Sequence, residues 1–82
     1  MIKTTLKIDG MMCGMCESHV NDIVRKVFPY ASRVKSSHKK SECSFVTEDK
    51  VDGNIIKDAL AEMGYKLLEV RSENYEKRGL FG

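Results

Sequence analysis

Two hydrophobic periodicities divide the first half of the chain. Apolar and polar residues alternate over residues 2–9, which predicts a half-buried strand. From Cys16 the apolar residues recur at i, i+3, i+4 and i+7, which predicts an amphipathic helix that ends before Pro29. The positions that carry these patterns are Ile2, Leu6 and Ile8 in the strand and Val20, Ile23, Val24 and Val27 in the helix.

The second half of the chain shows the same two periods. Residues 31–37 and 41–48 are predicted to form two short strands, joined into a hairpin by the polar turn 37–40. Asp52 is a favourable N-cap for a second helix, and Gly64 is a favourable residue just after its end. The last strand is predicted over residues 65–70. The apolar stripe of the second helix, which we expect in the core, consists of Ile56, Ala59, Leu60 and Met63.

The predicted element order is strand, helix, strand, strand, helix, strand. This order is typical of an α+β, ferredoxin-like βαββαβ sandwich, in which two helices cover one face of a four-stranded antiparallel sheet. The third strand is the least clearly patterned, because Cys43 and Phe45 share one face while Ser44 and Val46 share the other. Ser36 and Ser44 are candidates to point inward, which predicts a thinner core at that place.

Composition narrows the function classes. With 82 residues the chain allows one domain with one modest core. The formal net charge of +2 is too small, and the basic residues are too interleaved with acidic ones, to indicate nucleic-acid binding. Residues 1–9 contain no apolar run suited to a signal peptide or a membrane span, so we expect a cytoplasmic protein without direct membrane insertion.

Candidate chemistry is concentrated between Gly10 and Cys16, which read Gly-Met-Met-Cys-Gly-Met-Cys. A Cys-x-x-Cys pair with a third cysteine elsewhere indicates metal-binding or redox chemistry rather than a secreted disulfide framework. The spacing lets Cys13, in a loop, and Cys16, at a helix start, bring two thiolates to one ion. Two thiolates without an obvious third ligand favour a soft ion such as Cu(I), whereas Zn(II) normally takes four ligands.

The residues after Cys16 modify this expectation. His19 lies one turn further along the helix and is a candidate extra ligand, although a solvated helix residue is the more ordinary interpretation. The helix dipole stabilises a thiolate at its N-terminus by about 0.3–1 kcal/mol, which is less than one pK unit, and Glu17 would oppose it. We therefore expect the metal to drive most of the deprotonation, so that binding weakens as the pH falls.

The segment resembles the motif of the heavy-metal-associated (HMA) domain family, which includes copper chaperones and the N-terminal metal-binding modules of copper-transporting P-type ATPases. The similarity covers about residues 2–70. The motif is Gly-Met-x-Cys-x-x-Cys followed by an apolar helix position, and it is matched by Gly10, Met11, Cys13, Cys16 and Val20.

The resemblance implies a ferredoxin-like Cu(I) metallochaperone or metal-transfer domain, and not an enzyme. The ion would pass by stepwise thiolate exchange to the metal-binding domain of a copper-transporting P-type ATPase or a similar metal acceptor. The protein would be a monomer, and a metal-bridged dimer is a second option that exposed thiolate pairs allow.

The resemblance also implies roles for the residues around the two cysteines. Cys13 and Cys16 would bind the metal, Met11 would be a buried prop beneath the loop, and Tyr65 would limit access. Met12 and Met15 stand at variable positions, where they are either weak thioether ligands, a soft docking surface or ordinary surface residues. The residues expected to surround the metal loop are Met11, Met12, Gly14, Met15, Tyr65 and Lys66.

Three questions stay open at this stage. Residues 1–71 are predicted to form the metal-binding domain and 72–82 a tail, whose Leu80 and Phe81 either pack back or fray. A chain that starts at Met1 and has its own tail favours a stand-alone protein, with an ATPase fragment as the alternative. Cys43 is expected to be a lone strand cysteine rather than part of a second site.

Other functions compete with the copper carrier. A Cys-x-x-Cys pair also serves thiol–disulfide oxidoreductases, although this chain has no Trp and its single Pro, Pro29, lies far from the pair. A domain of the same fold could instead bind Hg(II) or Zn(II), or act as a regulatory metal module. Cu(I) and Hg(II) both favour thiolates, so affinity alone would not separate them.

Overall fold

Within residues 1–12 and 14–75, six elements follow one another in the order that the hydrophobic pattern predicts. They are β1 (Ile2–Asp9), α1 (Gly14–Val27), β2 (Ser32–Ser37), β3 (Glu42–Thr47), α2 (Gly53–Glu62) and β4 (Lys66–Asn74). The computed structural model describes residues 1–12 and 14–75. Cys13, and the tail residues Leu80 and Phe81, therefore lie outside the described residues.

The four strands form one antiparallel sheet in the order β2-β3-β1-β4. The central strand β1 pairs with β3 on one side and β4 on the other, so that Leu6 stands opposite both Cys43 and Val70. A bulge between Lys7 and Ile8 shifts the register against β4 close to the end of β1. Helix α1 packs against β2 and α2, and α2 also packs against β4. The α+β, ferredoxin-like fold predicted from the sequence is confirmed.

The core lies between the sheet and the two helices. Phe45 stacks on Phe28 at a ring-centroid distance of 5.6 Å and is completely buried. Each predicted apolar stripe contributes to this layer. The fully buried apolar residues are Leu6, Ile8, Val20, Val24, Cys43, Phe45, Ile56 and Leu60.

The structure decides the face of the third strand. Cys43 and Phe45 are fully buried and belong to the core that the helices cover. Ser44 is only partly buried and lies on the opposite face, so it does not thin the core. Ser36, by contrast, pairs with Cys43 and hydrogen-bonds to a residue of α1, so it does point toward the helices. No helix in the described ranges is both long and apolar enough to cross a membrane.

Two expectations about the second helix and the last strand are wrong in detail. Met63 is 50% exposed and not in the core, because α2 ends at Glu62 and Met63 forms its C-cap. The last strand begins at Lys66 and runs to Asn74 instead of stopping near residue 70, pairing with β1 as far as Ile2. The hydrophobic pattern does not predict this extension, because residues 71–74 are polar and an edge strand such as β4 tolerates polar side chains.

Candidate metal centre

The segment that leads into the candidate loop is held by Gly10 and Met11. Gly10 follows β1 with a φ of +111°, a backbone conformation that residues with a Cβ rarely adopt. A Cβ at this position would lie 3.3 Å from Cδ1 of Tyr65, so the backbone approaches the ring closely. Met11 is 5% exposed and belongs to the core, which is the buried position that the family resemblance implies.

Helix α1 carries the second cysteine of the motif. The helix begins at Gly14, two residues before the predicted start, so Cys16 lies in its first turn. Cys16 is half-buried and packs against the core, while Cys13 lies outside the described residues. Met12 and Met15 are 80% and 83% exposed, so both side chains are open to solvent.

Tyr65 and His19 contact each other close to the start of α1. The His19 Nδ1 atom and the Tyr65 hydroxyl oxygen lie 3.2 Å apart, and the rings meet edge to face at 5.8 Å. Tyr65 is buried apart from 8% of its surface, whereas His19 is exposed. The contact engages one imidazole nitrogen of His19 with Tyr65, and the role of His19 as an extra ligand stays a prediction.

Lys66 follows Tyr65 and begins β4, where it pairs with Asp9 at the end of β1. The end of β1 and the start of β4 therefore lie side by side next to the segment 10–12. Among residues 1–12 and 14–75 there is no cluster of three or more His, Cys, Asp or Glu side chains arranged to hold a metal.

A contact that the sequence did not predict joins Glu17 to His38. His38 donates two hydrogen bonds to Oε2 of Glu17, from its backbone N–H at 2.8 Å and from ring Nδ1 at 2.6 Å. These bonds lower the pKa of the Glu17 carboxyl below its ordinary value of 4.5, the backbone bond contributing most. His38 lies in the Lys-rich turn, where sequence reasoning expects a solvated residue, and 21 positions separate it from Glu17.

A second polar contact joins α1 to β2 one helical turn further along. The Ser36 hydroxyl donates to Oδ1 of Asn21 at 2.6 Å. Polar contacts therefore join α1 to β2 at Asn21–Ser36 and to the turn after β2 at Glu17–His38.

Cys43 is the buried thiol of the chain's described part. Burial raises its pKa above the ordinary 9.0, while the Ser36 hydroxyl and the charge of Arg25 act weakly in the opposite direction. Since folding favours the neutral thiol, this contribution to stability is complete below pH 9 and is lost as the pH rises through the raised pKa.

We expect the thiol of Cys43 to be nearly unreactive in the folded protein. In a Cys13→Ser, Cys16→Ser variant it is the remaining thiol of the chain, so its alkylation by iodoacetamide can be followed alone. The native rate should be about a hundredfold or more below that of the urea-unfolded chain, because the thiolate is both scarce and covered. The native alkylation rate should keep rising above pH 9, where the rate of the unfolded chain levels off. Equal alkylation rates in the native and the unfolded chain would contradict the burial of Cys43.

Solved structures of other proteins share this fold. The chain is similar to the CopZ metallochaperone, with 25% identity, a TM-score of 0.69 and coverage of 80% of this chain and 98% of that one. It is similar in fold to the N-terminal domain of ZntA in its Zn(II) form, with 21% identity, a TM-score of 0.68 and coverage of 93% and 97%. Oxidized MerP from Ralstonia metallidurans CH34 matches with 23% identity, a TM-score of 0.67 and coverage of 83% and 96%.

No family model matches the chain. The structural neighbours nevertheless confirm the resemblance to heavy-metal-associated domains that the motif indicates. The chain resembles heavy-metal-associated domains in fold, and the solved structures similar to it include the CopZ metallochaperone.

Proposed function

We propose that this protein is a Cu(I) metallochaperone or metal-transfer domain whose ion is held by the thiolates of Cys13 and Cys16. The observation that carries the proposal is the similarity to the CopZ metallochaperone over 80% of this chain and 98% of that one, combined with the cysteine motif of this chain at its β1–α1 junction. The position of Cys16 in the first turn of α1 supports the assignment, because the positive end of the helix dipole favours a thiolate there.

The residues around Cys13 and Cys16 are suited to a site that exchanges its metal ion with a partner. Met11 beneath the segment is buried, and Tyr65 is fixed by its contact with His19, so one side of the loop rests on the core. Met12 and Met15 are exposed and soft, which suits the approach of another soft-metal site. The proposed partner is the metal-binding domain of a copper-transporting P-type ATPase or a similar acceptor, reached in the cytoplasm by stepwise thiolate exchange.

The test is a Cu(I) titration of the reduced protein against a competing chelator, without oxygen. We expect the wild type to take up a single equivalent and the Cys13→Ser, Cys16→Ser variant to take up none at the same chelator concentration. Cys43→Ala is the matched control, since it also removes thiol but from the core, and it should bind as the wild type does. Equal uptake by the double variant and the wild type would refute the proposal.

The same thiolates would also accept Hg(II), and Zn(II) if further ligands joined them. The ZntA domain in its Zn(II) form has this fold, so Zn(II) is the second candidate ion. Competition among Cu(I), Hg(II) and Zn(II) for the reduced protein ranks the three. A thiol–disulfide oxidoreductase would instead turn over a disulfide substrate such as insulin, and we expect no catalytic rate in that assay.

A further inference from the structure

The side chain next to Cys16 is held on the β2 side of the helix. Glu17 lies in the first turn of α1, and its Oε2 accepts both hydrogen bonds from His38 at the tip of the β2–β3 hairpin. The two side chains are 29% and 33% exposed, so the contact is partly sheltered from water. A carboxylate directly beside a candidate metal ligand is thereby engaged by a different part of the fold.

The geometry of helix and strand explains why this contact is well defined. Four residues of an α-helix advance about 6 Å, and two residues of a strand advance about 6.6 Å. Glu17 and Asn21 lie four apart on α1, a spacing comparable to that between Ser36, near the end of β2, and His38, in the turn just after it, and both pairs are hydrogen-bonded. The second bond aligns α1 with β2, which keeps the Glu17 carboxylate within reach of His38.

Cu(I) and Zn(II) differ in whether they bind a carboxylate oxygen, so the Glu17–His38 contact can affect which ion the site prefers. Cu(I) is satisfied by two soft thiolates, and a hard carboxylate oxygen adds little to its binding. Zn(II) is normally four-coordinate and accepts Asp or Glu oxygen as a ligand. A Glu17 side chain released from His38 would stand one residue from Cys16 and offer such an oxygen.

We propose that His38 is a positioning residue that sets the metal preference of the centre. By holding the Glu17 carboxylate at the hairpin turn, it keeps an oxygen ligand from joining the thiolates and so disfavours Zn(II) relative to Cu(I). This inference rests on the proposed function, because it assumes that Cys13 and Cys16 bind the ion.

The experiment compares Zn(II) and Cu(I) affinities of reduced protein, each by chelator competition. His38→Ala removes the ring donor but keeps the backbone N–H bond to Glu17, so it loosens the carboxylate and should raise the Zn(II) affinity severalfold, up to about tenfold, while leaving the Cu(I) affinity unchanged. His38→Asn should restore the wild-type preference, since its amide N–H can replace Nδ1 as donor. Lys40→Ala, in the same turn with an exposed side chain, is the matched control and should change neither affinity.

A double variant identifies the released group. His38→Ala, Glu17→Gln should return the Zn(II) affinity to the wild-type value, because the amide oxygen is a much weaker ligand than a carboxylate. The inference is overturned if His38→Ala leaves Zn(II) affinity unchanged or lowers it, or if the gain persists in the double variant. Failure of the wild type to bind either ion through its cysteines would overturn the proposed function as well, whereas normal Cu(I) binding with an unchanged metal preference in His38→Ala overturns this inference alone.

Discussion

Replacing Phe45 with alanine should remove about 3–5 kcal/mol from the free energy of unfolding. Phe45 is completely buried, stacks on Phe28 and lies in the β3 layer beneath the helices. Its removal forfeits the transfer energy of the ring and leaves a cavity that a sheet on one side cannot close. Since small domains have total stabilities of about 5–15 kcal/mol, the variant should lose a large part of its margin, measured as a lower urea midpoint at unchanged slope.

The control for this loss is a large apolar residue at the surface. Leu68 on β4 is 53% exposed, so Leu68→Ala should change the free energy of unfolding by less than about 1 kcal/mol. Similar midpoints for the two variants would show that β3 does not carry the centre of the core. The comparison therefore tests the face assignment of Cys43 and Phe45, which the sequence left unresolved.

Replacing Gly10 with valine should lower both the stability of the protein and the Cu(I) affinity of the candidate metal centre. The φ of +111° costs a β-branched residue about 1–3 kcal/mol, and the new side chain would press on Tyr65, whose Cδ1 lies 3.3 Å from the Cβ position. Displacement of Tyr65 would also disturb its contact with His19. We expect a lower urea midpoint and a weaker Cu(I) affinity in the chelator competition.

Gly14 provides the matched substitution four residues later. No atom lies within 4 Å of a Cβ built there, and the residue begins α1, so Gly14→Ala should be neutral or stabilise the protein by up to about 1 kcal/mol. If Gly10→Val and Gly14→Ala had the same effect on stability, the left-handed turn before the loop would not be the constraint described above.

Much of the fold was predictable because it depends on local periodicity. The alternation in residues 2–9 and the stripe from Val20 to Val27 specify which face of each element is apolar, and the βαββαβ sandwich covers these faces. Asp52 caps α2 as predicted, accepting a hydrogen bond from the N–H of Asn54. The extent of β4 was less predictable, because the polar residues from Arg71 to Asn74 owe their strand conformation to pairing with β1.

Some features of the candidate metal centre were likewise predictable from the sequence, and others depend on the tertiary structure. One short segment contains Gly10, the apolar Met11 and the Cys13–Cys16 pair. The sequence alone therefore determined that a dithiolate loop between β1 and α1 is the candidate site. The exposure of Met12 and Met15 and the contact between Tyr65 and His19 depend on how that segment rests on the core.

The link from Glu17 to His38 was decided by the tertiary structure alone. The two residues are 21 positions apart, and no sequence pattern around either one predicts a contact with the other. They meet because α1 packs along β2, which brings Asn21 to Ser36 and Glu17 to the turn just after the strand. Local sequence thus determined the elements and the thiolate pair, whereas the packing of α1 against β2 decided which polar groups stand beside Cys16, since such contacts arise only after distant segments fold together.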